Sequence, residues 1–256
     1  MIEELLSLRR LSFSFPQQKP VFSDLSLTVR KGEFVSIVGA SGCGKSTLFK
    51  VIAGLLEQTA GEIGLRGSGS GSGGNRLGLK AYMPQQDLLL PWRTVLDNCL
   101  LPLEIKGRAG KDKKSVVQDM LKRFGLAGYE LAYPHELSGG MRQRAAFLRT
   151  LMSGGELMLL DEPFGALDAM TKRDMHRWLL ELWGDLGRTV MFITHDLEEA
   201  ILLSDRIFLM PSGSGGSLQE MNVELPRPRR LEMNYEPGFV SLRAELERRL
   251  YETRTV

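Results

Sequence analysis

An α/β fold with a mostly parallel sheet core follows from three observations on this 256-residue chain. Short, continuously apolar runs alternate with helical patterns. Two of those runs lead directly into turns of distinctive chemistry. The apolar fraction of 43% and charged fraction of 25% are those of an ordinary globular protein. Strands that are apolar throughout, rather than alternating, are covered on both faces, as happens when crossover helices link parallel strands.

Taken in order, residues 24–29 alternate apolar and polar side chains and predict a half-buried strand. Residues 33–38, Glu-Phe-Val-Ser-Ile-Val, predict a buried strand running into a glycine-rich turn. A helix over 46–53 follows, with Gly54 to end it. Residues 61–83 read as short strands around the stretch 67–74, almost wholly Gly and Ser, whose composition suggests a flexible hairpin tip. From 94 to 151 the pattern is mainly helical, with Thr94 and Asp97 spaced as an N-cap and its reciprocal acid. Residues 156–160 are an apolar strand ending in Asp161 and Glu162. A helix over 169–186, a strand over 189–193 and a helix opened by Asp196 come next. Strands over 206–210 and 218–223 and a tail helix over 240–251 complete a single domain spanning 1–256, with a helical subdomain inserted at about 87–150. The sheet region near the N-terminus is expected to be antiparallel.

Composition excludes several functions. A net charge of +2 gives no reason to expect nucleic acid as a partner. Two cysteines, Cys43 and Cys99, make no disulfide framework and fit a reducing cytoplasm, with Cys99 read as core. Cys43 sits among the amides of the glycine-rich turn, whose field would favour a thiolate, or reads as a small filler of that turn. No apolar run reaches the roughly 18 to 20 residues that a bilayer demands. The N-terminal residues carry acids where a signal peptide has a basic start. Service to a membrane would therefore run through a partner.

The turn after the first buried strand is Gly39-Ala40-Ser41-Gly42-Cys43-Gly44-Lys45-Ser46-Thr47, which fits the P-loop pattern at every defining position. Glycines let successive N–H groups face phosphate oxygens, and the helix that follows adds its positive end. Lys45 brings charge to the β- and γ-phosphates, and the Ser46 hydroxyl suits Mg²⁺. Asp161 is placed to hold the metal. Glu162, directed elsewhere if side chains simply alternate along a strand, is free to act on the attacking water.

A P-loop names a ligand class only. The narrowing stretch is Leu137-Ser138-Gly139-Gly140-Met141-Arg142-Gln143-Arg144, a second helix start able to bind phosphate. It resembles the signature sequence of ABC ATPases and precedes the Asp161-Glu162 strand as that family requires. Four further positions resemble the same family. Gln85 matches the Q-loop glutamine that touches Mg²⁺ and water. Residues 165–168, Gly-Ala-Leu-Asp, match the D-loop, His195 the switch histidine near the γ-phosphate, and Phe15 the aromatic that stacks on adenine.

The resemblance implies a P-loop NTPase fold of ABC type and an ATPase using ATP and Mg²⁺. It implies a head-to-tail homodimer in which Ser138, Gly139 and Gly140 close on the partner subunit's ATP. Residues 87–98 are similar to importer subunits of the nitrate, sulfonate and taurine group. That likeness implies integral-membrane permease subunits, an external solute-binding protein, a small and by analogy anionic solute, and a peripheral place on the cytoplasmic face of the membrane. Trp92 and nearby leucines are candidate permease contacts or ordinary core. The basic stretch 226–230 reads as a solvated strand end or a contact for anionic lipid. The rival class is a soluble ABC ATPase serving a cytoplasmic assembly complex.

Overall fold

The computed structural model describes residues 3–66, 80–108, 110–211 and 216–253, so the Gly/Ser stretch 67–74 lies outside the described residues. The chain divides into two compact units: Met1–Leu77 with His176–Val256, and the inserted Gly78–Met175.

In the first unit, β1 (Glu4–Ser14), β2 (Pro20–Arg30) and β4 (Ala60–Leu65) form an antiparallel sheet in the order β2-β1-β4. β1 escapes the sequence reading because its alternation breaks. Its register against β2 shifts between Leu8 and Leu11, and Arg10 adopts a φ of 47°. A bulge of this kind moves the apolar side chains out of a clean two-residue period.

The second sheet of this unit centres on β3 (Phe34–Gly39). Strands β7 (Thr189–Ile193) and β8 (Arg206–Met210) flank it in parallel, and β9 (Gln219–Asn222) pairs antiparallel with β8. Every residue of β3, β7 and β8 is buried, as their unbroken apolar runs demand. The helix α1 (Lys45–Ala53) leaves the turn after β3 and stops at Gly54, whose left-handed backbone N–H caps the last carbonyls. On one face, α6 (Leu197–Leu203) and α7 (Pro237–Glu252) bury Ile201, Leu202, Phe239 and Leu246 against Val38, Ile207 and Leu209. Burying each such side chain contributes roughly 1.5–3 kcal/mol.

The stretch 226–230 is not wholly a solvated strand end: Pro226, Arg227, Pro228 and Arg230 are exposed, but Arg229 is buried. Arg229 is 5% exposed and donates to the carbonyls of Ile201 (2.9 Å), Ser204 and Val223 (3.3 Å). Arg227 forks onto Asp205 Oδ1 (2.7 and 2.9 Å) and reaches the Leu203 carbonyl at 3.0 Å. The two guanidiniums satisfy carbonyls that the end of α6 leaves without helical partners. Burial, then the neighbouring Arg227 charge, pulls Arg229 down to about 10, still high enough to stay charged at neutral pH.

In the second unit, β5 (Lys80–Met83) runs parallel to β6 (Leu157–Asp161). Since β4 pairs with β1 and β5 with β6, residues 61–83 are not the two arms of one hairpin. Their short length and glycine content look the same whether the strands pair with each other or with distant partners. Helices α2 (Val95–Ile105), α3 (Lys111–Arg123) and α4 (Gly139–Met152) bury Cys99, Leu121, Phe124 and Phe147. Thr94 caps α2 as its spacing predicts. Its oxygen accepts from the Asp97 N–H (3.2 Å), and its hydroxyl donates to Asp97 Oδ2 (2.7 Å). The helix α5 (Ala169–Leu186) carries the chain back to the first unit. Among the described residues, no helix is long and apolar enough to cross a membrane.

Candidate functional site

The glycine-rich turn 39–44 joins β3 to α1 in the strand–turn–helix setting that a phosphate cradle requires. Gly42 and Gly44 take φ of 78° and 103°, conformations that favour glycine. A Cβ on Gly44 would also lie 2.7 Å from Val21 Cγ1. Lys45 is 6% exposed, and its Nζ donates to the carbonyls of Gly39 (3.0 Å) and Ala40 (2.9 Å). The ammonium is thus held inside the curve of the turn. Cys43, also buried, has its Sγ 3.8 Å from that Nζ and fills space beside Gly39, as expected of a small filler. Ser41 is exposed, while Ser46 and Thr47 on the first turn of α1 are half-buried.

Phe15 follows β1 and is 39% exposed. Its ring meets Phe13 edge-on at 5.0 Å, and Phe13 in turn lies 6.1 Å from Phe22, which borders Gly44. An aromatic edge is therefore built beside the turn. His195 is exposed just beyond β7. Ile193 pairs with Ile37, and the Thr194 N–H donates to the Ile37 carbonyl at 3.4 Å. His195 and the glycine-rich turn thus leave adjacent parallel strands at the same carboxyl end, the usual place for ligands in open α/β sheets.

The second unit holds the carboxylates. Asp161 is the last residue of β6 and is 3% exposed. Tyr82 lies opposite Leu159 on β5, on the same face as Asp161, and its hydroxyl donates to Asp161 Oδ2 at 3.2 Å. Burial and the Asp161 charge push the Tyr82 phenol well above the usual tyrosine range, so it remains a donor. Glu162 lies beyond the strand with a φ of 45°. A left-handed turn, rather than simple alternation, separates its direction from that of Asp161. Such a conformation is uncommon for a glutamate and costs of order 1 kcal/mol or more. Gln85 Nε2 donates to Glu162 Oε2 at 3.3 Å, which brings these two site residues together. The next residue, Pro163, accepts a hydrogen bond from the buried Gln143 amide of α4.

The signature stretch opens α4. Ser138 is its N-cap, accepting from the Met141 N–H at 3.3 Å. A Cβ on Gly140 would lie 2.8 Å from Thr171 Cγ2, so this glycine is needed for close packing. Asp168 accepts from the N–H groups of Met170 and Thr171, both at 3.1 Å, and from the Thr171 hydroxyl at 2.6 Å. Those bonds, the hydroxyl foremost, hold its carboxyl below the usual range.

Sequence reasoning did not single out the residues that hold the Gln85 loop. Asn98 is fully buried. It accepts from the Leu90 N–H (2.8 Å) and donates to the carbonyls of Leu90, Arg93 and Thr94 at 3.0–3.1 Å. Arg149 of α4 donates to the Asp87 and Leu88 carbonyls, and Arg142 lies 3.5 Å from the Asp87 carboxylate. An asparagine on a helix has many uses, and no spacing rule announces this one. Gln143 was within reach, since it belongs to the signature stretch itself. Trp92 is 72% exposed and so is not core.

Strand–turn–helix P-loop, buried aspartate at a strand end and capped glycine helix define an ATPase of the ABC class. Residues 22–165 match the family model described as ABC transporter. The chain is 46% identical to the formylaminopyrimidine import ATP-binding protein ThiZ of Halalkalibacterium halodurans, over 91% of this chain and 90% of that one. It is 38% identical to the taurine import ATP-binding protein TauB of Escherichia coli, over 92% and 93% of the two chains. A solved dimeric ATP-binding cassette, in a post-hydrolysis state bound to ADP and phosphate, matches with a TM-score of 0.71 and 27% identity, covering 87% of this chain and 100% of that one. The chain belongs to the ABC transporter family: it is an ATP-binding subunit, an ATPase by class, and it stands among import ATP-binding proteins.

Proposed function

We propose that this chain binds Mg·ATP as a homodimer and hydrolyses it to drive uptake of a small polar solute through separate integral-membrane permease subunits. The carrying observation is Glu162, held in a left-handed turn after β6 with its carboxylate joined to the Gln85 amide. A carboxylate fixed in this way is suited to orienting water. The Lys45 ammonium takes the β- and γ-phosphates, the turn 39–44 and Thr47 supply N–H groups, and Phe15 stacks on adenine. His195 donates to the γ-phosphate. Glu162 polarises the water whose oxygen bonds to the γ-phosphorus as the bond to the bridging oxygen breaks. Ser138, Gly139 and Gly140 contact the ATP of the partner subunit.

The proposed metal ligands are the Ser46 hydroxyl, the Gln85 amide oxygen and the Asp161 carboxylate. These hard oxygen donors suit Mg²⁺, and the Tyr82 hydroxyl on Asp161 fixes the carboxylate orientation. Bound there, Mg²⁺ would neutralise charge on the phosphate oxygens.

Import is favoured by the names of the relatives, and docking to a permease by apolar side chains left exposed in the second unit. Leu88 and Trp92, 56% and 72% exposed, flank the loop that Arg149 and Asn98 hold. The solute, of the kind those relatives are named for, would reach the permease on an external binding protein. The chain itself would sit at the cytoplasmic face. Capture of the tagged chain from detergent-solubilised membranes tests this reading. A polytopic permease in near-equal amount is expected, and recovery with soluble partners alone would refute the transport role.

A further inference from the structure

Thr194, His195 and Asp196 form the turn between β7 and α6, and polar side chains grip it on both sides of the histidine. The Asp196 N–H donates to Thr194 Oγ1 at 3.0 Å. Asp196 Oδ1 accepts from the N–H groups of Glu198 (2.9 Å) and Glu199 (3.2 Å). Below the turn, the Thr194 hydroxyl donates to Glu199 Oε2, and Glu199 Oε1 meets His176 Nε2 at 2.9 Å. Thr194, Glu199 and His176 are 2%, 2% and 7% exposed.

Three polar side chains buried at one junction are a costly way to fill space, because apolar groups of similar size pack there without desolvating a carboxylate. What the polar set adds is direction. One hydroxyl joins the residue before His195 to the residue after it, and a carboxylate seated on α6 fixes that hydroxyl. We propose that Thr194, Glu199 and His176 are positioning residues that set the backbone on both sides of His195 and so aim its side chain during ATP hydrolysis. This rests on the reading of His195 as a γ-phosphate contact. None of the three needs to touch the nucleotide.

The test measures Mg·ATP turnover and ATP affinity for the full chain carrying Thr194→Val, Thr194→Ser or Glu199→Gln, each alone and combined with His195→Ala. Thr194→Val is expected to lower kcat about tenfold or more, the scale on which a displaced catalytic group costs rate. ATP affinity should stay within about twofold, and Thr194→Ser should restore turnover. In the His195→Ala background, Thr194→Val should add no further loss, because residues acting through one another are not additive. Glu199→Gln provides the same comparison should Thr194→Val fail to fold. An equal loss of kcat with and without His195, or no loss in its presence, would overturn the proposal while leaving His195 its role. Unchanged turnover in His195→Ala alone would overturn that role, and the proposal with it.

Discussion

Lys45, 6% exposed, bonds two carbonyls of its own turn. Those carbonyls orient the ammonium toward the centre of the loop, where a phosphate would gain a charge-assisted bond worth about 1.5–3 kcal/mol. Lys45→Ala is therefore expected to weaken ATP binding about 10- to 100-fold, read by nucleotide titration; unchanged affinity would remove its role. Cys99 shows the opposite use of burial. It is fully buried in α2, and burial pushes its thiol from an ordinary 9.0 up to about 12. At pH 8 only about one molecule in ten thousand would carry the thiolate, so native Cys99 should resist alkylation and react freely in denaturant. The folded state holds this proton more tightly than the unfolded state. Its contribution to stability is thus complete below pH 9 and is lost as pH rises toward 12. Cys99→Ala should flatten that alkaline loss relative to the parent in denaturant titrations at stepped pH.

At the scale of elements, two junctions depend on single buried polar side chains. Asn98 joins the start of α2 to the loop after Gln85 through four hydrogen bonds. Asn98→Ala would strand the Leu90 N–H and take a donor from the Arg93 carbonyl, while the Leu90 and Thr94 carbonyls keep backbone N–H partners; the expected cost is about 1–3 kcal/mol in chemical denaturation. Arg229 closes α6 in the same manner, and Arg229→Met should cost a similar amount. Arg227→Ala, which breaks a half-exposed pair with Asp205, should cost about 1 kcal/mol or less. These junctions mark the limit of what the sequence reveals. The strands β3, β6, β7 and β8 are legible because burial on both faces forces an apolar run. The P-loop, signature and caps are legible because they depend on local spacing. Arg229 was not, since a basic tail looks the same whether it meets water or the carbonyls at the end of a helix more than twenty residues earlier. Nor was β1, whose bulge destroys the period that announces a strand. Nor was the left-handed backbone of Glu162, since a positive φ leaves no mark on residue identity.

Across the whole molecule, the chain divides its chemistry between two compact units. Met1–Leu77 with His176–Val256 carries the phosphate turn, Phe15 and His195; Gly78–Met175 carries Gln85, Asp161, Glu162 and the signature helix. On the proposed function, the P-loop of one copy and the signature helix start of another close on the same ATP, so pairing of copies should depend on ATP. In sedimentation, the full chain should shift from monomer to dimer on adding ATP when hydrolysis is blocked, and Ser138→Arg should abolish the shift. In the proposed mechanism Glu162 activates water for ATP hydrolysis. Steady-state turnover and ATP affinity of Glu162→Gln, measured together on the full chain, test it most directly. Near-parental ATP binding is expected, with kcat reduced by about a hundredfold or more. Parental turnover in Glu162→Gln would contradict it.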